Sequence, residues 1–332
     1  MNMWTVSSKR KYNDGGAHHI IYEWEDVLSE QLKIPIVNSM HPLLSFADKV
    51  LRKLHCNFLW IFRTKKILSF QMTALDSSDS YNSRKVIPMI VDFYLPPERF
   101  AAFFKAVSRN PIVFISSREV FEKLQAHPCF DASKYYHLPL SLPDKYRIDE
   151  TSVFEKKYDC VVLGRPDSLL KSFVEKYATK HPDFVYVDRR IEQGKGFTYF
   201  TNKGEIILSS NNHDDYVRIM RSGKVGLWST RGIDEKQCNG YNQVTPRFFE
   251  LLSSCCRVIC RYPKNADTDF FKITEFCPSV ETYEDFERIM NDTIQYNTIQ
   301  CNAMQYSTYL SNHYTSKRSE QLKQILRLKG LL

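Results

Sequence analysis

Tyr158 to Lys171, YDCVVLGRPDSLLK, joins a buried-strand pattern to a glycine turn and then to a helix that carries cations. Gly164 at the strand end lets the backbone come close to a phosphate, and the following helix brings free N–H groups and the positive end of its dipole. Arg165 supplies forked hydrogen bonds to such an anion, and Lys171 a compact point charge. Further on, TPRFFELLSSCCRVIC, Thr245 to Cys260, opens a helical segment with Thr245, Arg247 and Glu250 and runs directly into another strand. Together the two elements point to a nucleotide-diphosphate ligand. A plain turn with two solvated cations, and an exposed Arg247–Glu250 helix pair, account for the same letters.

The first half offers two candidate proton acceptors. Asp14-Gly15-Gly16-Ala17-His18-His19 puts glycines ahead of a strand-like run. A loop there can carry His18, whose imidazole titrates near neutral pH, to a hydroxyl that must lose its proton. An ordered N-terminal loop is the plainer alternative. Asp92, near the end of VIPMIVDF, is the second candidate base, or else a cap for the next element. Asp267-Thr268-Asp269 spells D-x-D but reads as a solvated acidic loop, and His213-Asp214-Asp215 reads as helix capping. The sequence contains no C-x-x-C, G-x-S-x-G, H-E-x-x-H or G-x-G-x-x-G. No metal site is therefore expected, and hydrolase, metalloprotease and dehydrogenase readings lack their chemistry.

Strand and helix signals alternate along the chain, the pattern of a parallel sheet covered by helices. HHIIY reads as a strand leading into the helix EWEDVLSEQL, and the helix LLSFADKVLRKL leads to the strand NFLWIF. KVIPMIVDFYL is a buried strand. Pro97 opens the helix ERFAAFFKAVSR, and IVFISS, REVFEKLQAH and the extended YYHLPLSL follow. PDKYRIDETSVFEKK, residues 143–157, breaks the rhythm and reads as a linker. Beyond it come YDCVVLG, the helix SLLKSFVEKYATKH, the strand FVYVD, an irregular stretch with Gly194, Gly196 and Gly204, the helix DDYVRIMRSG and the strand KVGLW. A loop, the helix TPRFFELLSS, the strands RVICRY and TEFCPSV and the helix TYEDFERIMND complete the second half. The expected division is 1–150, 151–316 and a basic C-terminal helix at 317–332.

With 332 residues, 43% of them hydrophobic, the chain can fill two cores. Its net charge of +8 is split evenly between residues 1–150 and the rest, so no concentrated nucleic-acid footprint is present. Nine cysteines without C-x-x-C spacing read as reduced, buried thiols of a cytosolic protein. The longest apolar run, Phe58 to Phe62, is far too short to span a bilayer, and the N-terminus lacks the apolar core of a signal peptide. Residues 49–75 hold six Lys or Arg and no acid, interleaved with Phe58, Trp60 and Phe62. That mixture suits an anionic membrane surface as well as a solvated basic helix followed by a strand.

VVLGRPDSLLK and TPRFFELLSS followed by RVIC resemble the GT-B fold glycosyltransferases, specifically the group 1 type of bacterial polysaccharide biosynthesis. The resemblance covers most of the second half, while the first half matches only in its order of elements. It implies an α/β chain of two Rossmann-like domains facing a central cleft. It also implies a donor site of Gly164, Arg165, Lys171, Asn242, Thr245, Arg247 and Glu250, with Glu250 on the ribose hydroxyls and Thr245 and Arg247 near the diphosphate. Two positions depart from the family: Asn242 stands where a glutamate often contacts the sugar, and Cys255 where a glycine is common. The expected activity is metal-independent, hexosyltransferase-like transfer of a sugar from a nucleotide-diphosphate sugar to a glycan or glycolipid hydroxyl. No cofactor is implied beyond that co-substrate. The expected partners are the nucleotide-sugar donor and a glycan or lipid-linked acceptor, without nucleic acid, in a cytoplasmic protein with peripheral contact at the anionic inner membrane face. A GT-B-fold nucleotide-sugar epimerase and a non-catalytic nucleotide-sugar-binding protein are the alternatives.

Overall fold

The computed structural model describes residues 4–11, 18–38, 66–75, 82–165, 167–192, 196–296 and 302–332. They form two α/β units, one of residues 1–143, 236–241 and 315–332, the other of residues 144–235 and 242–314. The helix expected at LLSFADKVLRKL, the strand at NFLWIF and the Asp14–Ala17 loop lie outside the described residues.

The first unit is built on strands β1 (Trp4–Ser8), β2 (Ile36–Asn38), β3 (Lys66–Thr73), β4 (Val86–Asp92), β5 (Val113–Ile115) and β6 (Tyr135–His137). They lie in the order β2-β1-β3-β4-β5-β6, every pairing parallel. Val86 to Val91 is buried on both faces, which is why that strand reads as an unbroken apolar run. Helices α1 (His19–Leu32), α2 (Phe100–Ala106) and α3 (Arg118–Gln125) cover the sheet, and Pro97 starts a turn of 3-10 helix before α2. The HIIY run is not a strand but the opening of α1. Ile21, Trp24, Glu25, Leu28 and Leu32 are buried at spacings of three and four, so helical periodicity overrides the β preference of the two isoleucines.

The second unit contains β7 (Tyr158–Val161), β8 (Tyr186–Glu192), β9 (Gly196–Thr201), β10 (Ile206–Ser210), β11 (Gly223–Ser229) and β12 (Arg257–Arg261), ordered β10-β9-β8-β7-β11-β12. The last four of that order pair in parallel, and β9 and β10 add an antiparallel flap to β8. That flap replaces most of the expected irregular stretch. Gly204, with φ of 86°, supplies the left-handed corner between β9 and β10. Helices α4 (Ser168–Lys180), α5 (His213–Arg221), α6 (Arg247–Ser253), α7 (Ala266–Phe270), α8 (Tyr283–Tyr296) and α9 (Asn302–Leu310) complete the unit. TEFCPSV is not a strand: it holds a 3-10 turn at Ile273–Glu275 and one isolated bridge, Cys260 to Ser279, because Pro278 interrupts the backbone donors.

The expected linker is ordered, with Tyr146 and Ile148 buried in the second unit. The basic C-terminal helix, α10 (Thr315–Leu328), belongs to the first unit. Its Leu322 and Leu326 join Leu28 and Leu32 of α1 in one core cluster, which explains the apolar stripe of an otherwise charged segment. Asp267-Thr268-Asp269 is not a solvated loop but the body of α7. Asn265 and Thr268 form a reciprocal cap, Thr268 N donating to Asn265 Oδ1 at 2.9 Å, and Asp267 is fully buried.

Candidate functional site: the glycine turn and helix α6

The chain leaves β7 through Gly164, whose φ of 84° lies in the left-handed region. A β-carbon there would collide with the side chain of Arg247 from the start of α6, so the glycine serves both the turn and the close approach of a guanidinium. Nη1 of Arg247 donates to the carbonyls of Leu163 at 2.8 Å and Arg165 at 2.7 Å. Arg247 is 9% exposed, and its buried Nε has no hydrogen-bond partner among the described residues. Burial lowers its pKa from the usual arginine value, but an arginine remains charged. A buried, incompletely satisfied cation at a glycine turn favours an anion there.

Glu250, one turn further along α6 and 4% exposed, lies on the same helix face as Arg247. Its Oε1 contacts His213 Nε2 at 2.8 Å, and Nδ1 of that histidine contacts the Tyr146 hydroxyl at 3.1 Å. The hydroxyl donates to Asp214 at 2.9 Å, and Lys145 closes the chain on Asp214 at 2.6 Å. Tyr216 stacks on the His213 ring. Glu250 is therefore clamped through one oxygen, while Oε2 has no hydrogen-bond partner among the described residues. The capping assignment of His-Asp-Asp is replaced in part: Asn212 caps α5, and His213 reaches Glu250. Sequence reasoning missed this chain, and its only signal was a histidine at a helix start.

The other cations meet carboxylates. Arg165 pairs with Glu235 at 2.8 Å, and Lys171 with Asp188 of β8 at 2.6 Å, a contact that raises the lysine pKa. The N-terminus of α4 does not offer all its N–H groups: Asp167 accepts from Leu170 N at 2.9 Å, and its charge faces Arg261 at 3.1 Å. Thr245 accepts from the Trp228 indole at 3.1 Å, and Asn242 Oδ1 from Thr230 at 3.1 Å. The structure thus brings Gly164, Arg165 and Arg247 together with Glu250 one turn away. It places Lys171, Thr245 and Asn242 in contacts of their own. Cys255 has φ of 51°, the left-handed conformation just after α6 that glycine adopts most easily.

In the first unit, His18 precedes α1 and its ring lies 6.4 Å from that of Tyr22, while Asp92 ends β4. A further titratable side chain was not anticipated. Glu25 of α1 is 2% exposed and pairs with Arg10 at 3.2 Å just beyond the carboxyl end of β1. Burial pushes its carboxyl up to about 7, against the opposing hydrogen bonds from Ser8 and Arg10. Among the described residues, no group of three or more His, Cys, Asp or Glu side chains could hold a metal ion. No described helix is long and apolar enough to cross a membrane.

No protein-family model matches the chain, and no curated protein matches it in sequence. Solved structures do match in fold. A glycosyltransferase from Rickettsia africae ESF-5 superposes with a TM-score of 0.57 at 11% identity, over 98% of both chains. Anabaena HepE, solved in complex with UDP-glucose, gives 0.52 at 8% identity over 98% of this chain and 99% of that one. A chain of the GtfA/B complex gives 0.50 at 11% identity, covering 83% of this chain but only 60% of that longer one. At these identities the likeness is one of fold. The protein has the GT-B fold, two Rossmann-like α/β units, as the motif order led one to expect.

Proposed function

We propose that the protein is a glycosyltransferase that moves a sugar from a nucleotide-diphosphate sugar to a hydroxyl of a glycan or lipid-linked acceptor. The observation that carries this reading is Arg247, buried against the Gly164 turn with its Nε unpartnered, one helical turn from a clamped Glu250. The diphosphate would lie on the Gly164 turn, its developing charge offset by Arg165, Arg247 and Lys171. The free oxygen of Glu250 would accept from the ribose hydroxyls, with His213 fixing the carboxylate in one orientation. His18 or Asp92 would take the proton from the acceptor hydroxyl as the sugar is transferred. A fold shared with HepE, which holds UDP-glucose, supports this assignment of the ligand. Transfer would need no metal, because the cations are supplied by side chains. The basic stretch at 49–75 and the exposed cations of α10 suit a peripheral place on an anionic membrane face, where lipid-linked acceptors are found.

A second reading, a donor-binding protein without turnover, is favoured by Asn242, whose side-chain oxygen is engaged by Thr230 and which carries no negative charge toward a sugar. Incubation with radiolabelled UDP-, GDP- and CMP-sugars, with and without glycan or lipid acceptors, separates these readings. Transfer or slow donor hydrolysis supports the transferase, and an epimerised donor formed without acceptor replaces it by an epimerase. Donor bound and recovered unchanged supports the binder.

A further inference from the structure

The cation at the glycine turn already has an anion on it. Arg165 is 37% exposed in its side chain and pairs at 2.8 Å with Glu235, itself only 17% exposed. The three cations of the proposed phosphate site differ in how exchangeable their partners are. Arg247 is tied to backbone carbonyls, which a ligand does not displace. Lys171 and Asp188 stand on a helix and a strand, and Asp188 is further held by accepting from Arg189 N at 2.7 Å. Glu235 instead comes from the connection after β11. There Gly232 closes a tight turn onto Glu235 N at 3.1 Å, and Asp234 sits at φ of 59°, in the left-handed region that a non-glycine residue rarely adopts. Asp234 reaches Arg261, which keeps Asp167 and Glu281 as partners if Asp234 lets go.

We propose that Glu235 is a resident competitor for the donor diphosphate at Arg165, so that donor binding expels its carboxylate and loosens the turn at residues 232–235, while Arg231 stays bridged to Gln243. This rests on the functional reading above. A diphosphate presents more acceptor oxygens and more charge to the guanidinium fork than one carboxylate does, so it wins the exchange. When the nucleoside diphosphate is the leaving product, the returning carboxylate hastens its departure. Glu235 is a release residue rather than a catalytic one.

Calorimetric titration of UDP, GDP and CDP into the full chain and into Glu235→Gln tests the exchange, with the bare nucleosides as controls. The nucleoside diphosphate that binds should bind E235Q about 3- to 10-fold more tightly, the scale of removing one partly exposed competing ion pair. Nucleoside affinity should not move, and the gain should shrink in an Arg165→Gln background. Glu235→Asp, which keeps the charge, should stay near wild type. Hydrogen exchange at 232–235 should rise when the ligand binds wild type, with the bridged Arg231 amide as an internal control. Equal or weaker diphosphate binding by E235Q, or unchanged exchange, overturns the proposal while leaving the donor site standing. No binding of any of the three to either protein overturns both.

Discussion

Replacing Gly164 with alanine tests the junction between the turn and α6 more sharply than removing any charge. Two costs add. The residue sits at φ of 84°, where a β-carbon costs about 1–2 kcal/mol. The new methyl group would lie 3.0 Å from Arg247 Cδ and 3.1 Å from Cζ, and closer still to Nη1. That guanidinium cannot retreat without weakening its bonds to the Leu163 and Arg165 carbonyls, each worth about 1.5–3 kcal/mol as a charged hydrogen bond. The expected loss is about 2–5 kcal/mol. A unit of this size loses roughly 2–4 °C per kcal/mol, so the melting transition of the second unit should fall by about 4–20 °C. Differential scanning calorimetry measures it, and the affinity for the nucleoside diphosphate should drop at least about tenfold in the same preparation. Arg247→Ala in the alanine background removes every Arg247 atom the new methyl meets, so the two substitutions should be markedly non-additive. A G164A protein with the wild-type transition and wild-type affinity would refute the reasoning.

Glu25 makes the first unit sensitive to pH. A carboxyl that holds its proton up to about 7 when folded but ionises near 4.5 when unfolded contributes stability in full below pH 4.5, and that stability is lost as pH rises through 7. Glu25→Gln should therefore flatten a decline of at most about 3 kcal/mol between pH 4.5 and 8, read from urea midpoints; an unchanged slope would remove Glu25 as its source. Transfer activity should survive EDTA, and complete loss restored by manganese or magnesium would contradict the proposed reliance on Arg165, Lys171 and Arg247. The protein should sediment with anionic vesicles at low salt and leave them at high salt. Serine at the exposed Lys317 and Arg327 of α10 and at Lys329 just after it should reduce that binding, and equal partitioning onto neutral vesicles would refute it.

Elements whose burial is uniform or strictly periodic were legible from residue order alone. Val86–Val91 is buried on both faces, and α3 buries Val120, Phe121 and Leu124 along one stripe. β1 was not legible, because Trp4–Ser8 is largely buried yet spelled with threonine and serine. β9 and β10 hide behind glycines that turn the chain without ending the sheet. In the candidate site, local strand, turn and helix signals singled out Gly164 and Arg165, whereas Arg247 and Glu250 were named through the family resemblance, since Arg247 meets the Gly164 turn from more than 80 residues away. His213 and Glu235 were not legible: the first meets Glu250 across 37 residues of sequence, and the second meets Arg165 from a connection with no periodicity. Local patterns carry no information about such pairings, which only the packed sheet order creates. Cys255 is the converse case, a position whose need for a left-handed backbone is masked by the wrong residue type.

The most direct measurement is the titration of wild type and Glu250→Ala with UDP, GDP and CDP by isothermal calorimetry, with circular dichroism confirming the fold. The account predicts that one of these binds wild type with one-to-one stoichiometry and that Glu250→Ala weakens it by about 1–3 kcal/mol, the cost of hydrogen bonds to a charged group. Binding by wild type with the same affinity in the folded Glu250→Ala protein, or no binding of any of the three, would contradict a donor site built on the Gly164 turn and α6.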